Sequence, residues 1–322
     1  MDGTSGNPGA DLKIGEEYPP AGEDEAISNL RTLHLKVHKI SPGSTLRGEH
    51  PKQHGGLWGT FEVAHDIPPE FKVGIFQEPL SLKAFIRFSN GRSFDDRDPN
   101  IRGMAIKVFV SDNSEGACST QDFILADHPI FFARDVQQIY DFLVASSTGT
   151  APDKLVKMFP KLAGYTKIAK DGPLQLSYWS QTPYQLGTHA VKYLASPSSE
   201  QDKKQPELTL ADAENCLREA MIEQLVRQRI GVKFDFSIIP QTDAYVMPVE
   251  DPTIEWTSEP VRLATISIHP QAFDSQEQMS LAETSVWSPW HFLPQHRPLG
   301  GINRARRLIY SESQDLRHAH RV

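Results

Sequence analysis

Residues 82–89 read Leu82-Lys83-Ala84-Phe85-Ile86-Arg87-Phe88-Ser89, an alternation with a period of two rather than 3.6. Two more stretches, Gly59-Thr60-Phe61-Glu62-Val63-Ala64-His65-Asp66 and Gly103-Met104-Ala105-Ile106-Lys107-Val108-Phe109, share that period and are bounded by turn residues. The three read as antiparallel strands. Alternation sets Phe85, Arg87 and Ser89 on one face and Ile86 and Phe88 on the other. A guanidinium on so apolar a strand is costly unless it reaches water or an anion. Arg87 therefore faces either solvent or an anionic ligand in a pocket.

Working outward, further strands are predicted over 122–126, 187–195, 232–239 and 262–269, and helices over 27–40, 134–146, 152–170, 210–229, 274–284 and 299–317. The fold class is α+β, a strand core with inserted and appended helices. Strands and helices do not alternate regularly and no Gly-rich loop follows a strand, which argues against a doubly wound nucleotide-binding sheet. Residues 197–205, Pro-Ser-Ser-Glu-Gln-Asp-Lys-Lys-Gln, read as a mobile polar linker.

A net charge of -8 over 322 residues argues against a nucleic-acid partner, because a phosphate backbone would be repelled over most of the surface. Cys118 and Cys216 lie far apart and outside any CxxC pattern, so a disulfide framework is not expected and a reducing cytoplasmic setting fits. Residues 1–26 are acidic, rich in Gly and Pro and lack the apolar core of a signal peptide; they read as a flexible arm before a domain over 27–322. No run of about 18 apolar residues is present, so no transmembrane segment is expected.

Chemistry concentrates at two places. In the C-terminal helix, Arg306 and Tyr310 are one turn apart, and at about 100° per residue Arg317 falls roughly 20° from Arg306. The three share a face. A guanidinium held against a phenol favours the phenolate, a form that binds ferric iron, although Arg-rich terminal helices more commonly present a solvated face. Near the start, Arg47-Gly48-Glu49-His50-Pro51-Lys52-Gln53-His54 forms a loop or extended entry to the first strand. His50 and His54 could ligate zinc, but Pro51 disfavours helical geometry at His50, and a general acid/base histidine is the sharper alternative. His34 and His38 are also four apart, with no third ligand nearby, and a solvated helix face is the simpler reading.

Five segments in order, RGEHPKQHGGLWGTFEVAHDI, FIRFSNG, RDPNIRGMAIKVF, DFILADHPIFFARD and HRPLGGINRARRLIYSESQDLR, resemble haem catalases and, at the end, small catalase-related peroxidases. The resemblance runs over roughly residues 44 to 317. It implies a closed antiparallel β-barrel with surrounding helices and haem b held between them. By the same resemblance His50 matches the distal histidine, Ser89 its hydrogen-bonding serine, Tyr310 the axial iron ligand and Arg306 the arginine that keeps it ionised. Arg47, Arg87 and Arg317 match the arginines that bind the haem propionates, which favours the inward reading of Arg87.

This sequence departs from the family pattern at Ala126-Asp127-His128-Pro129, where catalases carry a distal-site asparagine, so Asp127 is the candidate replacement. Glu49 stands where an apolar residue is usual, and the terminal extensions are shorter than those of catalases. The implied function is a peroxidase that reduces organic hydroperoxides and hydrogen peroxide through a ferryl intermediate, using a small-molecule reductant, with weak catalase activity. A fatty-acid hydroperoxide isomerase of the allene oxide synthase kind and a non-catalytic haem or lipid carrier are the alternatives. Assembly as a homo-oligomer is compatible with each.

Overall fold

The alternation at 82–89 is realised in strand β2 (Ser81–Asn90), which sits between β1 (Lys52–Val63) and β3 (Arg102–Asp112) in antiparallel register. The computed structural model describes residues 12–39, 47–112, 118–206 and 209–319. The sheet continues through β4 (Cys118–Ala126) on one side, and through β9 (Val261–Ile268), β8 (Val232–Pro240) and β7 (His189–Pro197) on the other. The two-residue strand β5 (Tyr178–Trp179) pairs with both β4 and β7 and closes the ring, giving an eight-stranded antiparallel barrel. Strand β6 (Tyr184–Leu186) hangs on β7 outside that ring.

Closure turns one side of every strand into a lumen, and the lumen is filled. Ile86 and Phe88 point into it with Phe61, Phe123, Tyr193 and Phe236, whose ring centroids lie 4.7 to 6.0 Å apart. These side chains fill the middle of the barrel, as is usual for a barrel of this size. Phe85, Arg87 and Ser89 lie on the outer face, as alternation requires, so any site built on them lies outside the barrel.

Three helices cover that outer face. Helix α1 (Glu23–Lys39), α2 (Val136–Ser147) and α6 (Gly301–Ala319) meet at Ala26, Ile27, Leu30, Val136 and Ala305. Helices α3 (Pro152–Met158), α4 (Cys216–Ile222) and α5 (Gln276–Thr284) complete the set among the described residues. None of these helices is long and apolar enough to cross a membrane.

Several expectations are corrected. The helix predicted over 152–170 stops at Met158, because Pro160 has no N–H to donate and its ring forces Phe159 out of helical geometry. The one predicted over 210–229 starts at Cys216, where buried Asp96 accepts the Leu217 N–H, and ends in a π turn over Glu223–Arg227. The stretch 197–205 is anchored rather than mobile. Ser198 N donates to Lys233 O, and Gln201 Nε2 donates to the same carbonyl. The flexible arm expected over 1–26 is likewise docked from residue 12 onward, while residues 1–11 lie outside the described residues. Glu17 accepts from Gly300 N and from Arg297 and Arg304. Burial alone would raise Glu17, but the Gly300 N–H and Arg297 outweigh it and hold the carboxyl below its ordinary range. Arg304 also binds Glu23 and Glu250, so three carboxylates converge on one guanidinium at the start of α6.

Two buried histidines make the fold acid-sensitive. His296 is held between Ile75 N and the Tyr193 hydroxyl, and His54 bonds Asn90 in a network with Asp96 and Lys52. Burial pushes His296 down to about 3 and His54 down to about 4. Both are neutral when folded and titrate near pH 6.5 when unfolded, so the unfolded chain takes up protons first as the pH falls. Their stabilising contribution is therefore complete above about pH 6.5 and declines towards pH 4. Urea midpoints are expected to drop between pH 7 and pH 5, and less steeply in His296→Gln. An unchanged midpoint in the parent protein would contradict the buried neutral state.

Candidate functional site

Between the outer barrel wall and the helices α1, α2 and α6 lies a cavity of about 400 Å³. The barrel wall supplies Arg87 and Ser89 from β2 and Gly103 to Ala105 from β3, paired so that Arg87 faces Ala105 and Ser89 faces Gly103. Helix α6 supplies Ile302, Ala305, Arg306, Ile309, Tyr310, Ser313, Gln314 and Arg317, a single helical stripe. The shared face expected for Arg306, Tyr310 and Arg317 is thus the face that closes the cavity. His50 and Arg47 enter from the segment before β1.

His50 is fastened in an uncommon conformation. Its φ is +57°, a left-handed geometry that costs a non-glycine residue about 1–2 kcal/mol. Its N–H donates to Gly91 O at 2.8 Å and its carbonyl accepts from Arg87 Nη2 at 3.0 Å, so backbone and cation together hold it there. The ring Nδ1 lies 3.1 Å from Ser89 Oγ. With Nδ1–H donating to that oxygen, Nε2 is left as a proton acceptor. Burial, then Arg87, Arg306 and Arg47, push the imidazole down to about 3, so it is neutral across the physiological range.

One end of the cavity is a cluster of cations. Arg47 donates to the carbonyls of Glu283 and Ser285, at 2.8 and 2.7 Å, and Arg317 to the carbonyl of Glu283. The Glu283 carboxylate lies 3.5 Å from Arg87, 3.7 Å from Arg47 and 3.9 Å from Arg317. Burial together with Arg87 and Arg317 pushes Arg47 down to about 9, and burial pushes Arg87 down to about 10 against the pull of Glu283. Guanidinium groups stay charged nevertheless. Among the described residues these three cations share the Glu283 carboxylate, and the buried Nε atoms of Arg47 and Arg87 make no hydrogen bond. A haem carries two propionates, its ring needs apolar walls such as Met104, Ile124, Phe131 and Phe132 provide, and the residues present fit it.

Two expected contacts are not formed. Arg306 lines the cavity, but among the described residues its hydrogen bonds go to Thr182 Oγ1 and Asn303 Oδ1, not to the Tyr310 phenol. Asp127 does not line the cavity. Its carboxylate is ion-paired with Arg102, whose backbone N–H it also accepts at 2.8 Å, because an anion on a buried strand end needs the nearest cation. Glu49 does line the cavity and pairs with Arg92 at 3.0 Å. Glu283 was missed by sequence reasoning. The available signal was a carboxylate in the last turn of a predicted helix, where the macrodipole disfavours it unless cations are waiting.

A family model described as Catalase matches residues 45–164. Over 146 residues the chain is 30% identical to a peroxisomal catalase of Toxoplasma gondii, a match spanning 44% of this chain and 27% of that protein. It is 26% identical over 316 residues to a catalase-related peroxidase of Mycolicibacterium paratuberculosis (strain ATCC BAA-968 / K-10), covering 91% of this chain and 94% of that one. Among solved structures a fungal catalase superposes with a TM-score of 0.65 at 16% identity, over 96% of this chain and 66% of its own length. Catalase A of Saccharomyces cerevisiae gives 0.63 at 16% identity, over 98% and 70%.

Gly103 is a further residue the sequence did not single out. A Cβ there would stand 2.6 Å from both Cε1 and Nδ1 of His50 and 3.0 Å from Ser89 Oγ, so the imidazole lies directly on the glycine. Gly103→Ala is expected to drive the ring off Ser89 and break the Nδ1–Oγ hydrogen bond. Imidazole nitrogen NMR of both proteins measures this, and an unchanged His50 Nδ1 signal would mean that the glycine does not set the ring position.

Proposed function

We propose that this chain, which belongs to the catalase superfamily, is a haem-dependent peroxidase that reduces organic hydroperoxides and hydrogen peroxide with electrons from a small-molecule reductant. The observation that carries this reading is one juxtaposition. An imidazole on the barrel wall, a phenol on the helix wall and a cluster of buried guanidinium groups line the same cavity. Haem b, when bound, supplies an iron centre able to drive O–O cleavage. Tyr310 would bind its iron, Arg47, Arg87 and Arg317 would hold its propionates, and Arg306 would set the field around the phenol. Residues 27–322 are assigned to one haem-binding unit, acting in the cytoplasm.

His50 supplies the proton chemistry. A neutral imidazole with Nδ1–H on Ser89 presents Nε2 to the peroxide hydroxyl, takes its proton, and returns it to the departing oxygen so that water or an alcohol leaves. Ser89 fixes the tautomer and the ring plane. Because burial and three arginines keep the ring neutral, the acceptor is present down to low pH, and the acid limb of peroxide turnover belongs below pH 5.

Dismutation needs a second peroxide held by a group that both donates and accepts, which an amide does and an ionised carboxylate does not. Asp127 is engaged with Arg102. The amides of Asn100 and Gln181 line the cavity, where Gln181 Nε2 donates to the carbonyls of His128 and Ile130 and Asn100 Nδ2 to that of Ser93. Weak catalase activity beside ready peroxidase activity follows.

With haem supplied during expression, Tyr310→Phe is expected to lose haem or shift the ferric spectrum, and His50→Gln to keep haem but react with peroxide about 10²-fold more slowly. Absorption spectra and stopped-flow mixing with hydrogen peroxide and an organic hydroperoxide test both. A Tyr310→Phe spectrum identical to the parent's, or reductant-free stoichiometric rearrangement of a fatty-acid hydroperoxide, would overturn the assignment.

A further inference from the structure

A second concavity opens on the outside of the barrel, beside the first and separate from it. It measures about 690 Å³ and is walled by Trp58, Phe85, Phe109 and Trp290, with His291 and Lys107 at its polar side. Beneath them Asp122, wholly buried, accepts from Lys107 Nζ at 2.6 Å and from His291 Nδ1 at 3.0 Å. Lys107 and Asp122 cancel in charge. With Nδ1–H committed to Asp122, His291 keeps Nε2 as a proton acceptor on a ring that is 38% exposed. A wall of aromatic rings beside a carboxylate-oriented imidazole suits a neutral planar molecule carrying one acidic O–H.

The groove is also wired to the first cavity. Trp58 contacts Phe85 with ring centroids 4.6 Å apart, and Phe85 stacks on Trp287 at 5.8 Å and 22°. Trp287 lines the first cavity, and Val286 lines both spaces. Electron tunnelling falls exponentially with distance, and successive rings in contact leave no wide gap between the groove and the cavity.

We propose that this groove binds the reductant, a small neutral phenol, and that His291 with Asp122 takes the phenolic proton while the electron passes inward by way of Trp58 and Trp287. This rests on the peroxidase reading above. In each step one O–H bond breaks, the proton passes by way of His291 Nε2 to solvent, and one electron goes to the peroxide-oxidised centre, which takes up a proton from water as it is reduced. Two phenols thus reduce one hydroperoxide to an alcohol and water and leave as two phenoxyl radicals. The open groove lets them go without entering the haem cavity.

Guaiacol is the probe, used with haem-loaded protein. Saturation-transfer NMR is expected to show saturable guaiacol binding that disappears in Leu281→Trp, a substitution at a 40% exposed groove position that fills the space from the surface. In His291→Gln, binding persists and peroxide-driven guaiacol oxidation falls by about tenfold or more relative to the rate at which the same variant reacts with peroxide. Guaiacol that does not bind, or variants that oxidise it at the parent's relative rate, would overturn the groove assignment while peroxide still changes the haem spectrum. No spectral response to any peroxide would instead defeat the peroxidase reading on which the groove depends.

Discussion

Three guanidinium groups buried side by side are the constraint around which the site is organised. Arg47, Arg87 and Arg317 come from three segments far apart in sequence, and like charges out of water repel unless anions answer them. Glu283 and two backbone carbonyls answer in part. Those carbonyls, of Glu283 and Ser285, lie at the C-terminal end of α5, where a helix presents partial negative charge. Burial keeps the nearby His50 imidazole neutral and able to accept a proton, and two of these cations, Arg87 and Arg47, press on it in the same direction.

The barrel decides where that cluster can be. Its lumen is taken up by Phe61, Phe123, Tyr193 and Phe236, so function is displaced to the outer wall, where strand alternation presents Arg87 and Ser89 on one strand and bare Gly103 on the next. Bareness matters as much as polarity. A residue without a side chain lets the imidazole lie against the sheet close enough to meet Ser89, and the hydrogen bonds that His50 N–H donates to Gly91 O and that its carbonyl accepts from Arg87 sustain the left-handed backbone there.

Much of this was legible in the sequence because it depends on local period. The outward face of β2 follows from alternation at 82–89, and the cavity stripe of α6 follows from 3.6-residue spacing at 306, 310 and 317. What was not legible depends on partners distant in sequence. Asp127 was read as a pocket group from its place in a motif, whereas Arg102, 25 residues earlier, claims it across the β3–β4 pairing. Arg306 was set against Tyr310 by helical spacing, but spacing states which groups can meet, and Thr182 from another segment takes the guanidinium. The linker over 197–205 was misread for a similar reason, since its glutamine side chain substitutes for strand pairing to Lys233 in a way no composition records.

Helix α6 shows how one element separates support from chemistry. Arg304 and Arg306 are two residues apart, about 200° around the axis, and so cannot serve the same side. Arg304 is gripped by Glu17, Glu23 and Glu250, tying the segment before α1, α1 itself and the loop after β8 to the first turn of α6. Those carboxylates sit at the positive end of the helix dipole, where anions are favoured. The opposite face carries Arg306, Tyr310 and Arg317, whose own bonds to Thr182 and to the Glu283 carbonyl add to an anchorage already set at the first turn. Substitutions on the cavity stripe can alter ligand chemistry while the helix stays fixed, whereas loss of Arg304 would leave three carboxylates crowded together and loosen the wall on which the phenol stands.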